Sequence, residues 1–327
     1  MIAIRRLIAA ALRAALPAHV AALPAVAFAQ AFPSKPIRIL VPYPAGGTTD
    51  LMARALQEPM QKALGQPVIV ENKAGAAGAI AAREVARSAP DGHTLLFSNN
   101  GPSSTTPLLV KDAGYDGVKD FAPVSQVSSA PLFAMVHASV PASDLKGFID
   151  YAKSQELAYA SAGIGSLGHL ATELFARMAG VKMVHIPYKG QAPTANALVT
   201  GEVKVLITTS SAAMNNFIKE GKVKLLGVST PEPSPLAPGV PTMGSVLPGY
   251  KVEIWFGLLA AAGTPADAVG KLNAAVAGAL SIPELQARFQ NFGVIAKGST
   301  PKQLGDLIAD EVPRWTQVVR EASIRAE

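Results

Sequence analysis

Two glycine-rich turns hold the residues whose types and spacing could do chemistry. The first is Pro42-Tyr43-Pro44-Ala45-Gly46-Gly47-Thr48-Thr49-Asp50; the second is Ser161-Ala162-Gly163-Ile164-Gly165-Ser166-Leu167-Gly168-His169. Each follows a short apolar run, Ile37 to Val41 and Leu157 to Ala160, and each precedes a helical pattern of apolar residues. A strand, a glycine turn and a helix in that order aim unpaired backbone N–H groups at one point. The helix end also carries roughly half a positive charge, so the arrangement favours anions. A charge-assisted hydrogen bond contributes about 1.5–3 kcal/mol, whereas micromolar binding needs about 8 kcal/mol net of ordering costs. One helix end with two or three donors falls short. Two such turns in one chain imply a ligand held from both sides, in a cleft between two domains.

Rival chemistries fit less well. Gly163, Gly165 and Gly168 spell G-x-G-x-x-G between a strand and a helix, the dinucleotide fingerprint. Its acidic partner belongs about 20 residues further on, where this chain has Pro187-Tyr188-Lys189. A nucleophile elbow G-x-S-x-G fails at Ser166, because position 164 is isoleucine. His169 is three residues from Ser166 on the same helical turn, with no acidic residue placed to orient it. Ser166 therefore reads as a helix N-cap and His169 as a first-turn residue. His93, His137, His169 and His185 stand alone, without H-x-x-x-H spacing and without cysteine, so neither a metal centre nor a cofactor is expected. Asp50 is the lone acid beside the glycine turns, and Trp255-Phe256 and Trp315 read as packing residues. What remains is binding.

The elements that must position these turns alternate, as in an α/β sheet. Arg5 and Arg6, an Ala/Leu-rich run to Val26 and the small-x-small site Ala27-Phe28-Ala29 mark residues 1–29 as a secretory signal peptide. Arg13, Pro17, His19 and Pro24 interrupt that run too often for a permanent membrane anchor. The chain of 327 residues has no cysteine and a net charge of +6. Its lysines and arginines are scattered, which gives no nucleic-acid footprint and suits a small anionic ligand.

Strands are expected at 37–41, 68–70, 94–97, 181–186, 203–208, 223–228 and 254–262, with a long extended run from Val124 to Val136. Helices are expected at 48–64 with Thr48 or Thr49 as N-cap, 80–87, 145–153, 194–200, 215–219, 266–280, 283–292 and 301–322. Pro59 should kink its helix or split it in two, and Pro313 should bend the last one. Ser98 and Asn99 follow the carboxyl end of a strand, where α/β sheets place ligands. Residues 230–248 are proline-rich but flanked by strands, hence an ordered loop.

The chain resembles the extracytoplasmic solute receptors of tripartite tricarboxylate transporters, the Bug receptor family. The resemblance is carried by Val41-Pro42-x-Pro44-Ala45-Gly46-Gly47-x-x-Asp50, Val70-Glu71-Asn72-Lys73-x-Gly75, Pro90-Asp91-Gly92-x-Thr94-Leu95-Leu96, Ser161-x-Gly163-x-Gly165-Ser166-x-x-His169-Leu170 and His185-x-Pro187-Tyr188-Lys189-Gly190. It runs across essentially the whole mature chain. It implies an α/β, two-domain periplasmic binding protein of type II (Venus-flytrap), with 32–132 plus 255–327 as one domain and 133–254 as the other. By resemblance, Ala45, Gly46, Gly47 and Thr48 hold one carboxylate, and Ser161, Gly163, Gly165 and Ser166 hold the distal part. Tyr43, Asp50, Ser98, Asn99, His169, Tyr188 and Thr209 shape the pocket. Many relatives carry Asp-Asn where this chain has Thr209-Ser210, which bears on ligand identity. The implied protein is a periplasmic monomer and not an enzyme. It captures a di- or tricarboxylate, amino acid or aromatic acid and passes it to a membrane permease or sensor. The competing reading is a secreted hydrolase or oxidoreductase on the same frame.

Overall fold

The structure, a computed structural model, describes residues 32–324. The expected signal peptide lies outside them. Among the described residues no helix is long and apolar enough to cross a membrane.

Two sheets organise the chain. The first begins with β1 (Ile37–Val41), an apolar five-residue strand buried along most of its length. It runs parallel to β2 (Val68–Asn72) on one side and β3 (Thr94–Asn99) on the other. Beyond β3 the order continues through β10 (Glu253–Ala261), β4 (Phe121–Pro131) and the two-residue β11 (Ile295–Ala296), all by antiparallel pairing. The second sheet has the order β7 (Met183–Pro187), β6 (Leu157–Ser161), β8 (Val205–Thr208), β5 (Phe133–His137) and β9 (Val223–Val228). β6 is parallel to β7 and β8, while β5 is antiparallel to β8 and β9. The mixed α/β class read from the sequence is the one observed.

Helices cover both sheets: α1 (Thr48–Leu64), α2 (Ala79–Ala86), α3 (Thr106–Leu109), α4 (Leu145–Lys153), α5 (Leu167–Ala179), α6 (Gln191–Thr200), α7 (Ala212–Lys219), α8 (Ala266–Leu280), α9 (Pro283–Asn291) and α10 (Pro301–Glu321). Each sheet packs apolar clusters on its two faces. Ile37, Ile39, Val41, Leu95 and Phe97 sit in one cluster with α1 and α8, and Leu40, Leu96 and Trp255 in another with α2. In the second sheet Tyr159, Val205 and Ile207 pack with α4 and α5, and Met135, Ala160 and Leu206 with α6.

Several boundaries differ from the sequence expectation. Gly47, in extended conformation, is the N-cap of α1, so Thr48 is already helical. Neither Pro59 nor Pro313 splits its helix: α1 and α10 each run through as one element. β3 includes Ser98 and Asn99. α7 begins at Ala212 rather than Asn215 because Ser211 caps it, its hydroxyl accepting from the Met214 amide at 3.2 Å.

The long extended run is two strands in different sheets, broken at Leu132. A single buried serine joins the strands there. The Leu132 amide donates to Ser229 Oγ at 2.7 Å, and the Ser229 amide donates to the Leu132 carbonyl at 2.9 Å. Ser229 Oγ also donates to the Val252 carbonyl, and the Val252 amide to the Ser229 carbonyl at 3.1 Å.

A second tie is α10. It opens with a reciprocal cap between Thr300 and Gln303. Its Leu304 and Ile308 pack with Leu40 and Trp255, whereas its Trp315 and Val318 pack with Tyr159 and Phe175. Between these groups the buried Glu311 accepts from Asn100 Nδ2 (2.8 Å), Ser104 Oγ (3.0 Å) and Trp255 Nε1 (3.0 Å).

Ser229→Ala removes two hydrogen bonds at a residue that is 0% exposed, leaving an amide and a carbonyl without that partner. The expected cost is about 1–3 kcal/mol, read as a lower urea midpoint at unchanged slope. A midpoint equal to that of the parent protein would deny the serine its joining role.

Candidate functional site: a two-lobed cleft

The carboxyl ends of β1 and β3 in one sheet, and of β6, β7 and β8 in the other, line two adjoining cavities that share Tyr43, Asn99 and Ile254. The first, about 640 Å³, is walled by Gly47, Thr48 and Thr49 at the start of α1 and by Thr209, Ser210, Ser211 and Asn215 at the start of α7. The second, about 940 Å³, is walled by Gly163, Ile164, Gly165, Ser166 and Leu167 at the start of α5, with Tyr188 and the segment around α3. Lys111 and Lys189 are the only charged side chains among the residues lining either cavity.

Gly46 adopts φ +85°, a left-handed conformation that favours glycine, and turns the chain from β1 into α1. The turn is clamped from behind by Asp50, which is 2% exposed and does not line either cavity. Its carboxylate accepts from the Gly46 amide (2.9 Å), Arg54 Nε (3.1 Å) and Asn72 Nδ2 (3.0 Å). Burial works to raise the Asp50 pKa, but Arg54, the Gly46 amide and Asn72 outweigh it and hold the carboxyl below its ordinary value. The Gly46 N–H is thus engaged inside the turn. The first-turn amides of α1 have no side-chain cap, and Thr48 and Thr49, which carry two of them, line the cavity.

Beside them, Asn99 Oδ1 accepts from Tyr43 OH (3.0 Å) and the Gly101 amide (2.8 Å), which leaves its amide nitrogen to donate into the cleft. Burial pushes the Tyr43 phenol up to about 12, so it stays neutral. Ser98 is fully buried with its hydroxyl 2.6 Å from Ser103 Oγ, and it does not line either cavity.

The second turn is also braced from behind. Ser166 caps α5 by accepting from the His169 amide, and the Gly165 amide donates to His169 Nδ1 at 3.0 Å. His169 stacks on His185 at 3.7 Å between ring centroids, and His185 Nε2 lies 2.6 Å from Ser161 Oγ. Burial, then His185, pushes His169 down to about 4; burial lowers His185 as well. His169 is neutral at pH 7, as an Nδ1 that accepts from an amide requires.

Ser161 and His185 form a serine–histidine pair that spacing did not reveal. Ser161 is only 1% exposed and its hydroxyl also donates to the Gly163 carbonyl (2.9 Å), so the pair braces the turn and does not face substrate. Tyr188 lines the cavity with its hydroxyl directed to Glu202 at 2.7 Å, and Thr209 Oγ1 accepts from Gln191 Nε2 at 2.6 Å.

Of the residues singled out in the sequence, Tyr43, Gly47, Thr48, Asn99, Gly163, Gly165, Ser166, Tyr188 and Thr209 line the cleft. Asp50, Ser98, Ser161 and His169 sit behind its wall, and Ala45 and Gly46 lie in the turn without lining either cavity. A Cβ on Gly165 would fall 2.3 Å from Leu109 Cδ1, so this glycine admits the close approach of α3. Sequence reasoning missed Gln191, Asn215, Phe133, Phe256 and Phe292 as lining residues. Only the strand–turn–helix pattern at Thr209-Ser210-Ser211 could have pointed to any of them.

Residues 52–324 match the model of the tripartite tricarboxylate transporter family receptor. The chain is 36% identical over 305 residues to protein BugT of Bordetella pertussis, covering 91% of this chain and 92% of that one. Among solved structures it is similar to an R. palustris protein determined with adipate (32% identity, TM-score 0.73, 90% of this chain and 100% of that one). It is also similar to the periplasmic binding protein BugD (33% identity, TM-score 0.69, 90% and 100%).

Asp50→Asn is expected to destabilise the protein at pH 7, because a neutral amide cannot replace the charged acceptor of three donors. A carboxyl held below its usual pKa contributes stability that is complete above the unfolded value of about 4 and is lost as pH falls through the folded value. The gap between parent and variant in urea should therefore shrink from pH 7 to pH 3. A gap that is constant or widens toward acid would contradict the clamp.

Proposed function

This chain belongs to the tripartite tricarboxylate transporter receptor family, and from that premise we propose that it captures a small carboxylate in the two-lobed cleft for delivery to a membrane partner. The observation that carries the reading is electrostatic. Helix starts from both sheets turn toward one cleft, and the only charged side chains lining it are two lysines. Dipole, N–H donors and lysines all favour an anion there.

The donors are the amides of Gly47, Thr48 and Thr49 on one side and those of Ile164 and Leu167 on the other, with Asn99 between. Ala45, Gly46 and Asp50 shape the first turn; Ser161, Gly163, Gly165, Ser166 and His169 shape the second. Ser98 supports the floor, and Tyr43, Tyr188 and Thr209 set the walls. The protein works in the periplasm after removal of residues 1–29, as a monomer, and its partner is a permease or sensor. Residues 32–132 with 255–327 move against 133–254, with Leu132, Ser229 and Val252 at the joint. The ligand favours closure by binding the closed state more tightly than the open one. A solute-binding receptor family supports a protein that binds without turnover, and the buried Ser161–His185 pair offers no reason to prefer a hydrolase.

Melting the purified protein with di- and tricarboxylates, amino acids and aromatic acids tests this. A ligand at one hundred times its dissociation constant should add about 2.7 kcal/mol of stability, with the compound recovered unchanged. Conversion of any compound, or no shift with any of them, would overturn the reading. Gly165→Ala should weaken binding of whichever acid shifts the melt. Adding Leu109→Ala should restore the share that comes from the collision of the new methyl group with Leu109, while the strain of a side chain at the left-handed Gly165 (φ +75°) remains. Additive losses in the double variant would remove Leu109 from closure.

A further inference from the structure

The 640 Å³ lobe has a division of chemistry that the anion reading does not use. Phe133 opens β5, Phe256 lies in β10 and Phe292 follows α9, so three rings arrive from three elements and both sheets. Phe133 and Phe256 are only 5% and 4% exposed, yet both form the cavity wall. Neither makes a ring pair among the described residues, and the one pair of Phe292 is with Phe289, behind it at 6.3 Å. All three line the same cavity, where an occupant would touch them.

Opposite stand Ser210 and Asn215, uncharged and hydrogen-bonded to each other at 2.6 Å. No charged side chain lines this lobe; both lysines belong to the other.

Resting on the receptor reading above, we infer that this lobe receives a ring. The ligand is a carboxylate whose single charge meets the α1 amides at Thr48 and Thr49. Its aromatic or alicyclic body lies among Phe133, Phe256 and Phe292, and an uncharged hydroxyl or carbonyl reaches Ser210 and Asn215. A rigid ring packs against these side chains with little rotor entropy to lose, and an aromatic one adds ring–ring attraction to the area it buries. A short aliphatic diacid covers them poorly, and a second charge within the lobe would find no cation.

Isothermal titration of the full chain with 4-hydroxybenzoate, cyclohexanecarboxylate, adipate and malate decides the matter. The expected result is at least tenfold tighter binding of 4-hydroxybenzoate than of adipate or malate, with cyclohexanecarboxylate between them. Phe292→Leu keeps an apolar side chain in place while removing the ring, and should reduce the preference for 4-hydroxybenzoate over adipate about fivefold or more. Phe133→Leu should act in the same direction and serves if the first variant melts early. Diacids binding as tightly as the ring acids, or a preference unchanged in both variants, would overturn the ring inference and leave the receptor standing. No heat with any carboxylate would overturn the receptor reading, and this inference with it.

Discussion

The first amides of a helix have no partner within the helix, and the architecture is built around that constraint. A helix start that is buried and dry is costly, so a fold either caps it or leaves it facing something that can accept. Here the two responses are divided among the helix starts at the cleft. Ser166 and Ser211 cap α5 and α7 with their hydroxyls, satisfying one amide each and leaving the earliest donors outward. Gly47 contributes no side chain, so α1 keeps its first donors open, and α6 does the same behind Gly190. Anion binding is therefore expected to draw on the uncapped starts rather than on α5 and α7.

Open donors are useful only if they do not collapse onto their own chain. Asp50 and His169 prevent this in different ways. Asp50 draws in the Gly46 amide and is itself fixed by Arg54 and Asn72, while Asn72 Nδ2 also holds the Tyr43 carbonyl at 3.0 Å. The negative charge that would repel an anionic ligand is thereby buried and paired with Arg54. On the other side His169 draws in the Gly165 amide through a neutral ring nitrogen, and the stack on His185 keeps that ring in place. Both acceptors lie behind the wall, so the turns are held in shape before any ligand arrives, which lowers the cost of ordering on binding.

Local pattern explains what could be read in advance. The apolar runs Ile37–Val41 and Leu157–Ala160, the glycines Gly65 and Gly180 that end α1 and α5, and the Ser166 cap are written in neighbouring residues. Asn99 could be placed near the cleft because a strand end is a local feature. What the sequence hid is non-local. The two residues of β11 are too few to show a period, and nothing near Leu132 reveals that β4 and β5 part there, since both flanks are apolar. The resemblance puts Asp50 and His169 in the pocket, yet both brace the turns from behind, because spacing does not show whether a side chain points forward or back. Phe133, Phe256 and Phe292 lie far apart in the chain and look like ordinary core residues; only the tertiary fold brings them to one cavity.

The ties between the two sheets limit how such a cleft can move. Strands that merely passed between sheets would bend freely, but Ser229 binds Leu132 on one side and Val252 on the other, so the passages are coupled at one buried point. Across the molecule, α10 places Leu304 and Ile308 in one core and Trp315 and Val318 in the other, with Pro313 between them. Proline removes one intrahelical hydrogen bond and weakens the helix there against bending. A rigid joint at Ser229 and a softened helix at Pro313 together favour rotation about the joint over sliding of one sheet past the other. Leu109 of α3 packs so close to Gly165 that a Cβ there would fall 2.3 Å from its Cδ1, so any movement of the proposed kind must carry this contact with it.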